Sequence, residues 1–200
     1  MKKVKYKDAR DKLDNYDIVE FIGKGFPSNL LSWLFGKSHI AIVIKYPEYD
    51  TVLLFESTSL DSVEDFFTKK KHSGVQTVSL SSRIKTYNGT VIIRRLECER
   101  TPEMVKALHD FRKETEGKLY EIPKKGKWFQ KTLGLFQMIR SITFINRRKD
   151  LSRLYCIEQV AESFQRGKLI SNKQASNKYR LNEEFNLLKG SFHNREIVEI

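Results

Sequence analysis

Three residues that are far apart in the sequence are of types that could carry out covalent chemistry together: a cysteine, a histidine and a glutamate. Cys156 lies in the first turn of a helix that the pattern SRLYCIEQVAESFQR predicts over 152–166. A helix N-terminus offers backbone N–H groups and a partial positive charge, which favour a thiolate and can hold an oxyanion. Cys156 is therefore a candidate nucleophile. The competing interpretation is a buried structural cysteine, because free cysteine is among the residue types most often buried.

A predicted β-hairpin brings the other two residues together. His39 opens the apolar strand HIAIVIKY (39–46), the turn PEYD follows at 47–50, and Glu56 comes near the end of the strand TVLLFES (51–57). A turn at 47–50 places His39 and Glu56 on the same face of the hairpin. The two residues are then directly opposite or diagonal to each other on neighbouring strands, with their backbones about 5–8 Å apart. A carboxylate at that distance can bond one ring nitrogen of His39 and leave the other to deprotonate a thiol, which is the logic of a catalytic triad. A surface His–Glu pair is the competing interpretation.

The rest of the chain predicts an α+β fold, with strands mainly in the first half and helices mainly in the second. A helix starts at Thr101, where threonine, proline and an acidic residue follow one another. Segment 117–150, which includes the apolar stretch 132–145, has no clear pattern. The other predicted elements are strands at 16–22, 75–80 and 90–96, and helices at 28–35, 61–71 and about 181–189.

Length and composition favour a single domain over 1–200, because the chain has 200 residues and is 40% hydrophobic. The N-terminal segment lacks an apolar signal region, and the longest apolar runs fall far short of the ~20 residues of a membrane span. The sequence therefore predicts a soluble, cytoplasmic protein. The two cysteines do not make a disulfide framework, and no CxxC or HExxH spacing suggests a metal site. We expect no metal and no organic cofactor.

The net charge of +12 favours anionic partners. The basic clusters at 69–71, 124–127 and 147–149 are interpreted mainly as solvated surface. A concentrated basic stripe interleaved with exposed aromatic residues, which is typical of nucleic-acid binding, is missing from the sequence. Nucleic acid is therefore not an expected partner, and the sequence makes no prediction of oligomeric state.

Five segments carry a resemblance to a known superfamily through their order and spacing. The segments are YDIVEFIG (16–23), SHIAIV (38–43), LFES (54–57), the stretch 74–84 that begins GVQ, and YCIEQVA (155–161). Together they resemble the permuted papain-like hydrolases of the NlpC-type superfamily, especially the YiiX-like branch and its poxvirus relatives. The resemblance covers roughly residues 15–190. Two positions depart from the family pattern: Tyr16 stands where glycine is usual, and Ile157 replaces a small serine or threonine.

The resemblance implies a circularly permuted papain-like domain, in which a central antiparallel sheet is packed by helices and the cysteine follows the histidine in the chain. It implies Cys156 as nucleophile, His39 as base and Glu56 as the third member. The reaction would be that of a thiol hydrolase or acyltransferase, which cleaves an amide, ester or thioester through an acyl-enzyme intermediate. Tyr120, in GKLYEIP, matches a family element that lines the cleft, and Asp17 could help to shape the oxyanion site.

Within the superfamily, substrates include peptides, other amides and lipid acyl groups. The basic charge and the apolar 132–145 segment favour an anionic or lipid-bearing substrate, and they suggest a peripheral contact with an anionic membrane surface or association with a virion. The alternative class is a non-catalytic basic binding module for an anionic partner, a membrane surface or nucleic acid. A cysteine that reacts rapidly with electrophiles near neutral pH would distinguish the enzyme from the binding module.

Overall fold

The computed structural model describes residues 1–24, 33, 36–120, 153–181 and 185–199. The chain forms a mixed α+β structure around a seven-stranded sheet. The strands of this sheet are β1 (Lys2–Lys5), β2 (Ile18–Gly23), β3 (His39–Ile44), β4 (Leu53–Thr58), β5 (Gly74–Ser79), β6 (Gly89–Arg94) and β9 (Glu196–Glu199). A second, two-stranded sheet joins β7 (Leu119–Tyr120) to β8 (Arg153–Leu154).

The strands of the large sheet lie in the spatial order β1-β9-β6-β2-β3-β4-β5. All neighbouring pairs in this sheet are antiparallel except β1 and β9, which run parallel at one edge. The central strands are antiparallel as expected, and the parallel pair is confined to the edge. The parallel pair arises because two segments from opposite ends of the chain meet there, a pairing that no local hairpin could provide.

Helices cover both faces of the sheet. They are α1 (Tyr6–Ala9), α2 (Leu80–Thr86), α3 (Pro102–Thr115) and α4 (Cys156–Arg166), with short 3₁₀ turns at Arg10–Lys12 and Ser176–Lys178. The side chains of α3 and α4 pack with Ile40, Ile42 and Phe55 on one face, which we call the α4 face. Those of α1 and α2 pack with Val43 and Leu54 on the other, the α2 face. Both faces of the central strands are buried, so β3 and β4 are apolar except for His39 in β3 and Glu56, Ser57 and Thr58 in β4.

All five strands expected from the sequence are present, and each observed strand end differs from the expected one by at most two residues. The helix that starts after Thr101 is also confirmed, and the Thr101 hydroxyl accepts a hydrogen bond from the Met104 N–H. The helix expected over 152–166 begins only at Cys156, because the residues just before it form β8. This shift moves the cysteine to the first helical position.

Two expected helices are wrong where the structure describes them. Residues 61–71 form turns instead of a helix, because the Asp65 carboxylate accepts the N–H groups of Phe67 and Thr68 and competes with helical bonding. Residues 185–189 of the last expected helix are not helical, and the Leu188 N–H bonds across to the Leu169 carbonyl. The helix expected at 28–35 and the 132–145 segment fall on residues outside the described ranges, apart from 33. Among the described residues, none of the helices combines the length and the hydropathy that crossing a membrane requires.

Candidate active site

His39 and Glu56 form a buried hydrogen-bonded pair. His39 is the first residue of β3, and Glu56 lies on the neighbouring strand β4. Ile42 pairs with Phe55 in this hairpin, so continuing the register makes position 39 diagonal to position 56 on the same face. The His39 Nε2 and the Glu56 Oε2 are 2.8 Å apart. The structure thus brings together the two residues that the hairpin pattern placed near each other.

The second carboxylate oxygen of Glu56 accepts hydrogen bonds from two further buried side chains. Arg83, on α2, donates to Oε1 through Nε at 2.9 Å and also through Nη2. Gln76, on β5 and directly opposite Glu56, donates to the same oxygen at 3.2 Å. Glu56 is fully buried and Arg83 is 1% exposed. Sequence reasoning missed both residues, although a carboxylate inside an apolar strand signals that a buried cation must lie nearby.

Cys156 occupies the first position of α4, close to the same histidine. Its side chain is 7% exposed and packs in the cluster of the α4 face. The first intrahelical bond is donated by the Gln159 N–H to the Tyr155 carbonyl, so the N–H groups before it lie in the first turn, which has no intrahelical acceptors. Cys156 interacts with the ring of His39 and stabilises its protonated form. Because Glu56 occupies Nε2, Nδ1 is the ring nitrogen left to serve the thiol.

The surroundings of His39 favour its protonated form. Burial by itself disfavours the imidazolium, but hydrogen bonds and charge interactions with Cys156 and Glu56 outweigh burial and raise the pKa of His39 to about 9. For Glu56, burial opposes ionisation, but the charge of Arg83 and the bond and charge of His39 together lower the pKa of the carboxyl below its ordinary value. Glu56 is therefore an ionised carboxylate at neutral pH.

Neighbouring side chains fix the histidine ring in place. Phe21, which pairs with His39 across β2 and β3, places its ring centroid 5.3 Å from the imidazole. Tyr87 packs edge-on against Phe21 and hydrogen-bonds to the Ser38 hydroxyl at 2.9 Å. The Ser38 hydroxyl also accepts the Gly23 N–H. A ring held in this way has little freedom to leave the line between Glu56 and the thiol.

Of the two further residues selected from the sequence, the structure describes the side chain of Asp17 alone. Asp17 is buried at the other end of β2, where its carboxylate accepts the N–H groups of Asp14 and Leu96 and pairs with Arg100. The carbonyl of Asp17 accepts the Val43 N–H, four residues along β3 from His39, which corresponds to roughly 13 Å. The structure therefore places the Asp17 carboxylate in a turn, apart from the His39–Glu56 pair. The backbone of Tyr120 forms part of β7, and its side chain lies outside what the structure describes.

The second cysteine has a different environment. Cys98 is partly buried next to Arg100, in a segment that belongs to no helix or strand. Burial raises the pKa of its thiol, against the opposing charge of Arg100. Cys98 therefore provides an internal reference for the reactivity of Cys156.

A search of the solved structures found a similar fold. This chain superimposes on the metalloprotein YiiX of Escherichia coli O157:H7 with a TM-score of 0.50 and 17% sequence identity. The match covers 77% of this chain and 66% of the YiiX chain, so this chain spans somewhat less than two thirds of that protein. A scan against protein-family models and a search of curated proteins gave no match. The similarity extends to the general α+β arrangement of a YiiX-like fold.

Proposed function

We propose that this protein is a cysteine-dependent hydrolase or acyltransferase with a permuted papain-like fold. One observation carries the proposal: a cysteine at the first position of a helix interacts with a histidine whose ring is hydrogen-bonded to a buried carboxylate. Cys156 is the nucleophile, His39 the general base and acid, and Glu56 the residue that orients the ring. The similarity to a YiiX-like fold and the order of histidine before cysteine support the permuted arrangement.

The proposed reaction starts from the form in which the Cys156 proton already lies on Nδ1 of His39, the protonated state that the surroundings of the ring favour. The thiolate attacks the carbonyl carbon of the substrate, and the oxyanion that forms accepts hydrogen bonds from N–H groups in the first turn of α4. The imidazolium then gives its proton to the leaving amine, alcohol or thiol, and an S-acyl enzyme remains. His39 next deprotonates a water or another hydroxyl or amine, which attacks the acyl group and releases Cys156. Glu56 stays ionised throughout, because it serves the ring and not the substrate.

No step of this reaction is assigned to a metal. The structurally similar YiiX is described as a metalloprotein, so we tested whether the residues here would suit an ion. Among the described residues, no group of three or more histidine, cysteine, aspartate or glutamate side chains could hold a metal. The Glu56 carboxylate is already engaged by Arg83, Gln76 and His39, and the guanidinium would repel a cation at that position. The donor set therefore does not fit a metal ion.

The proposed substrate is a peptide, another amide or a lipid acyl group. The net charge of +12 favours an anionic substrate or an anionic membrane surface. A non-catalytic basic binding module is the alternative, and in that case the buried Cys–His–Glu arrangement would have no chemical consequence.

The test is labelling with an uncharged thioester acyl probe at pH 7, followed by mass spectrometry of the modified peptide. We expect acylation of Cys156 and much slower acylation of Cys98, which lies outside the site in the same folded chain. The variant Cys156→Ser should lose the modification, and His39→Ala should slow it by about 100-fold or more. Equal labelling of the two cysteines, or labelling of Cys156 that does not depend on His39, would contradict the proposal.

A further inference from the structure

A buried arginine lies directly behind the proposed carboxylate. Arg83 is 1% exposed, and its guanidinium faces Glu56 through Nε and Nη2 while Nη1 donates to the Ser62 hydroxyl at 3.0 Å. Three of its nitrogen atoms therefore have partners, and the plane of the guanidinium is fixed. The helix that carries it, α2, begins directly after β5 and is tied back through the Leu80 N–H, which bonds to the Val52 carbonyl at 3.0 Å.

The donors around Glu56 are distributed unequally between its two oxygens. Both Arg83 contacts and the Gln76 contact fall on Oε1, whereas Oε2 contacts His39. Gln76 is itself held, because its amide nitrogen also donates to the Leu60 carbonyl at 3.2 Å. Because Oε1 is fixed in this way, the Glu56 carboxylate cannot rotate, and the lone pairs of Oε2 stay directed at the imidazole ring. Oε2 is thus kept available as an acceptor for the Nε2–H of His39.

The charge of Arg83 matters as much as its geometry. A fully buried carboxylate without a cation would take up a proton, because burial disfavours the ionised form. With Arg83 present, the buried group of arginine, carboxylate, imidazole and thiol is neutral overall, and it stays neutral when the proton moves from Cys156 to His39. Without Arg83, Glu56 would either take up a proton and no longer act as a carboxylate toward His39, or stay ionised and leave the group with a negative charge, in which forming a thiolate would cost more.

We infer that Arg83 is a positioning residue, which acts through Glu56 to hold the orientation and charge balance of the Cys156–His39 pair. This inference rests on the proposed function of that pair. It assigns Gln76 a supporting role on the same carboxylate oxygen.

Two substitutions of Arg83 separate its charge from its geometry. Arg83→Gln removes the cation, and we expect the pH profile of Cys156 alkylation by iodoacetamide to move upward by about one pH unit. Arg83→Lys keeps the cation but loses the two-pronged contact, so the profile should stay near that of the wild type. In Arg83→Lys the rate of acylation by the thioester probe at pH 7 should nevertheless fall about tenfold, because a hydrogen bond to the charged carboxylate is lost.

The matched control is Arg112→Gln. Arg112, on α3, is 6% exposed and pairs with Glu116, so the variant also removes a buried, paired guanidinium, but one that a helix on the opposite face of the sheet carries. Both its alkylation profile and its acylation rate should equal those of the wild type. Circular dichroism of every variant establishes that the chain is folded before any rate is compared.

Arg83→Gln with a wild-type alkylation profile would overturn the inference. If that variant does not fold, Arg83→Lys with a wild-type acylation rate would overturn it as well. A shift in Arg112→Gln as large as that in Arg83→Gln would assign the effect to lost stability and not to Glu56. The proposed function fails separately, if His39→Ala leaves Cys156 reactivity unchanged. If His39→Ala lowers the reactivity of Cys156 and the Arg83 variants leave it unchanged, only the role of Arg83 is refuted.

Discussion

Replacing Glu56 by glutamine removes one negative charge at almost constant volume, and the surrounding donors dictate how the new amide must sit. Arg83 and Gln76 present only N–H groups to the Oε1 position, so the glutamine oxygen must face them. The glutamine nitrogen then faces Nε2 of His39, which lies 2.8 Å from Oε2 in the native chain. An amide nitrogen can only donate, so Nε2 must become the acceptor. The neutral ring then carries its proton on Nδ1, the nitrogen that contacts Cys156.

A ring with its proton on Nδ1 cannot accept the thiol proton, so the main effect of Glu56→Gln should be on reactivity. In serine proteases, the same carboxylate-to-amide change lowers kcat about 10⁴-fold through the wrong tautomer. We expect a loss of about 10³-fold here, which corresponds to about 4 kcal/mol in the acylation barrier. The pKa of His39 should also fall, because the bond and charge of Glu56 contribute to raising it.

Stability should decrease as well, since Glu56→Gln leaves the buried guanidinium of Arg83 without its counter-charge. Removing one partner of a buried ion pair costs about 3–5 kcal/mol, and this is an upper value here because the amide oxygen still accepts from Arg83. The cost in stability and the cost in reactivity are separable, because the first appears in urea unfolding and the second in the acylation rate of protein that remains folded.

Three measurements test this reasoning: the acylation rate of Cys156 at pH 7, the free energy of unfolding in urea, and the tautomer of His39 from ¹⁵N NMR of its ring. The matched control is Asp17→Asn, which changes another buried, arginine-paired carboxylate at the far end of β2. It should lose stability and keep the reactivity of Cys156. Wild-type reactivity in Glu56→Gln, a proton still on Nε2, or an equal loss of reactivity in Asp17→Asn would refute the argument.

Three further predictions concern pH, membranes and the backbone. The His39 pKa rises from 6.5 to about 9 on folding, so His39 should add about 3 kcal/mol to the free energy of unfolding below pH 6.5, and this contribution should be lost as the pH rises through 9. Urea unfolding of the wild type and of His39→Asn, compared across this pH range, checks the prediction. The basic clusters at 124–127 and 147–149, which lie outside the described residues, should bind anionic vesicles better than neutral ones at low salt; co-sedimentation with no lipid preference would contradict this. Gly74→Ala should lower the free energy of unfolding by more than about 1 kcal/mol, because Gly74 has a φ of +118° and an added Cβ would come within 2.2 Å of the Lys118 carbonyl oxygen. An unchanged melting temperature would count against this prediction.

The strands and the hairpin could be predicted from local sequence. The run HIAIVIKY and the run TVLLFES are strongly apolar and β-branched, and a four-residue turn joins them, so their pairing needed no information from the rest of the chain. The side-chain period of two then placed His39 and Glu56 on one face. Long-range pairs were not predictable: β1 and β9 meet only because the ends of the chain come together at the sheet edge.

Short elements and turns were the weakest part of the sequence-based prediction. The segment 61–71 has a helical spacing of apolar residues, but the Asp65 side chain captures the N–H groups that a helix would need. The seven-residue helix α2 was missed because a stretch so short has too few positions to establish a period. That omission also hid Arg83.

For the site, the sequence determined which residue types are available and which two share a hairpin, since both properties depend on local chemistry and strand period. Only the tertiary structure decided how the cysteine reaches them. Glu56 and Arg83 lie with the α2 face of the sheet, whereas Cys156 packs on the α4 face. His39, as the first residue of β3, stands at the end of the sheet and contacts both sides. More than a hundred residues separate His39 from Cys156 in the chain, so no local pattern encodes their contact; it forms because the buried faces of α4 and the sheet pack together.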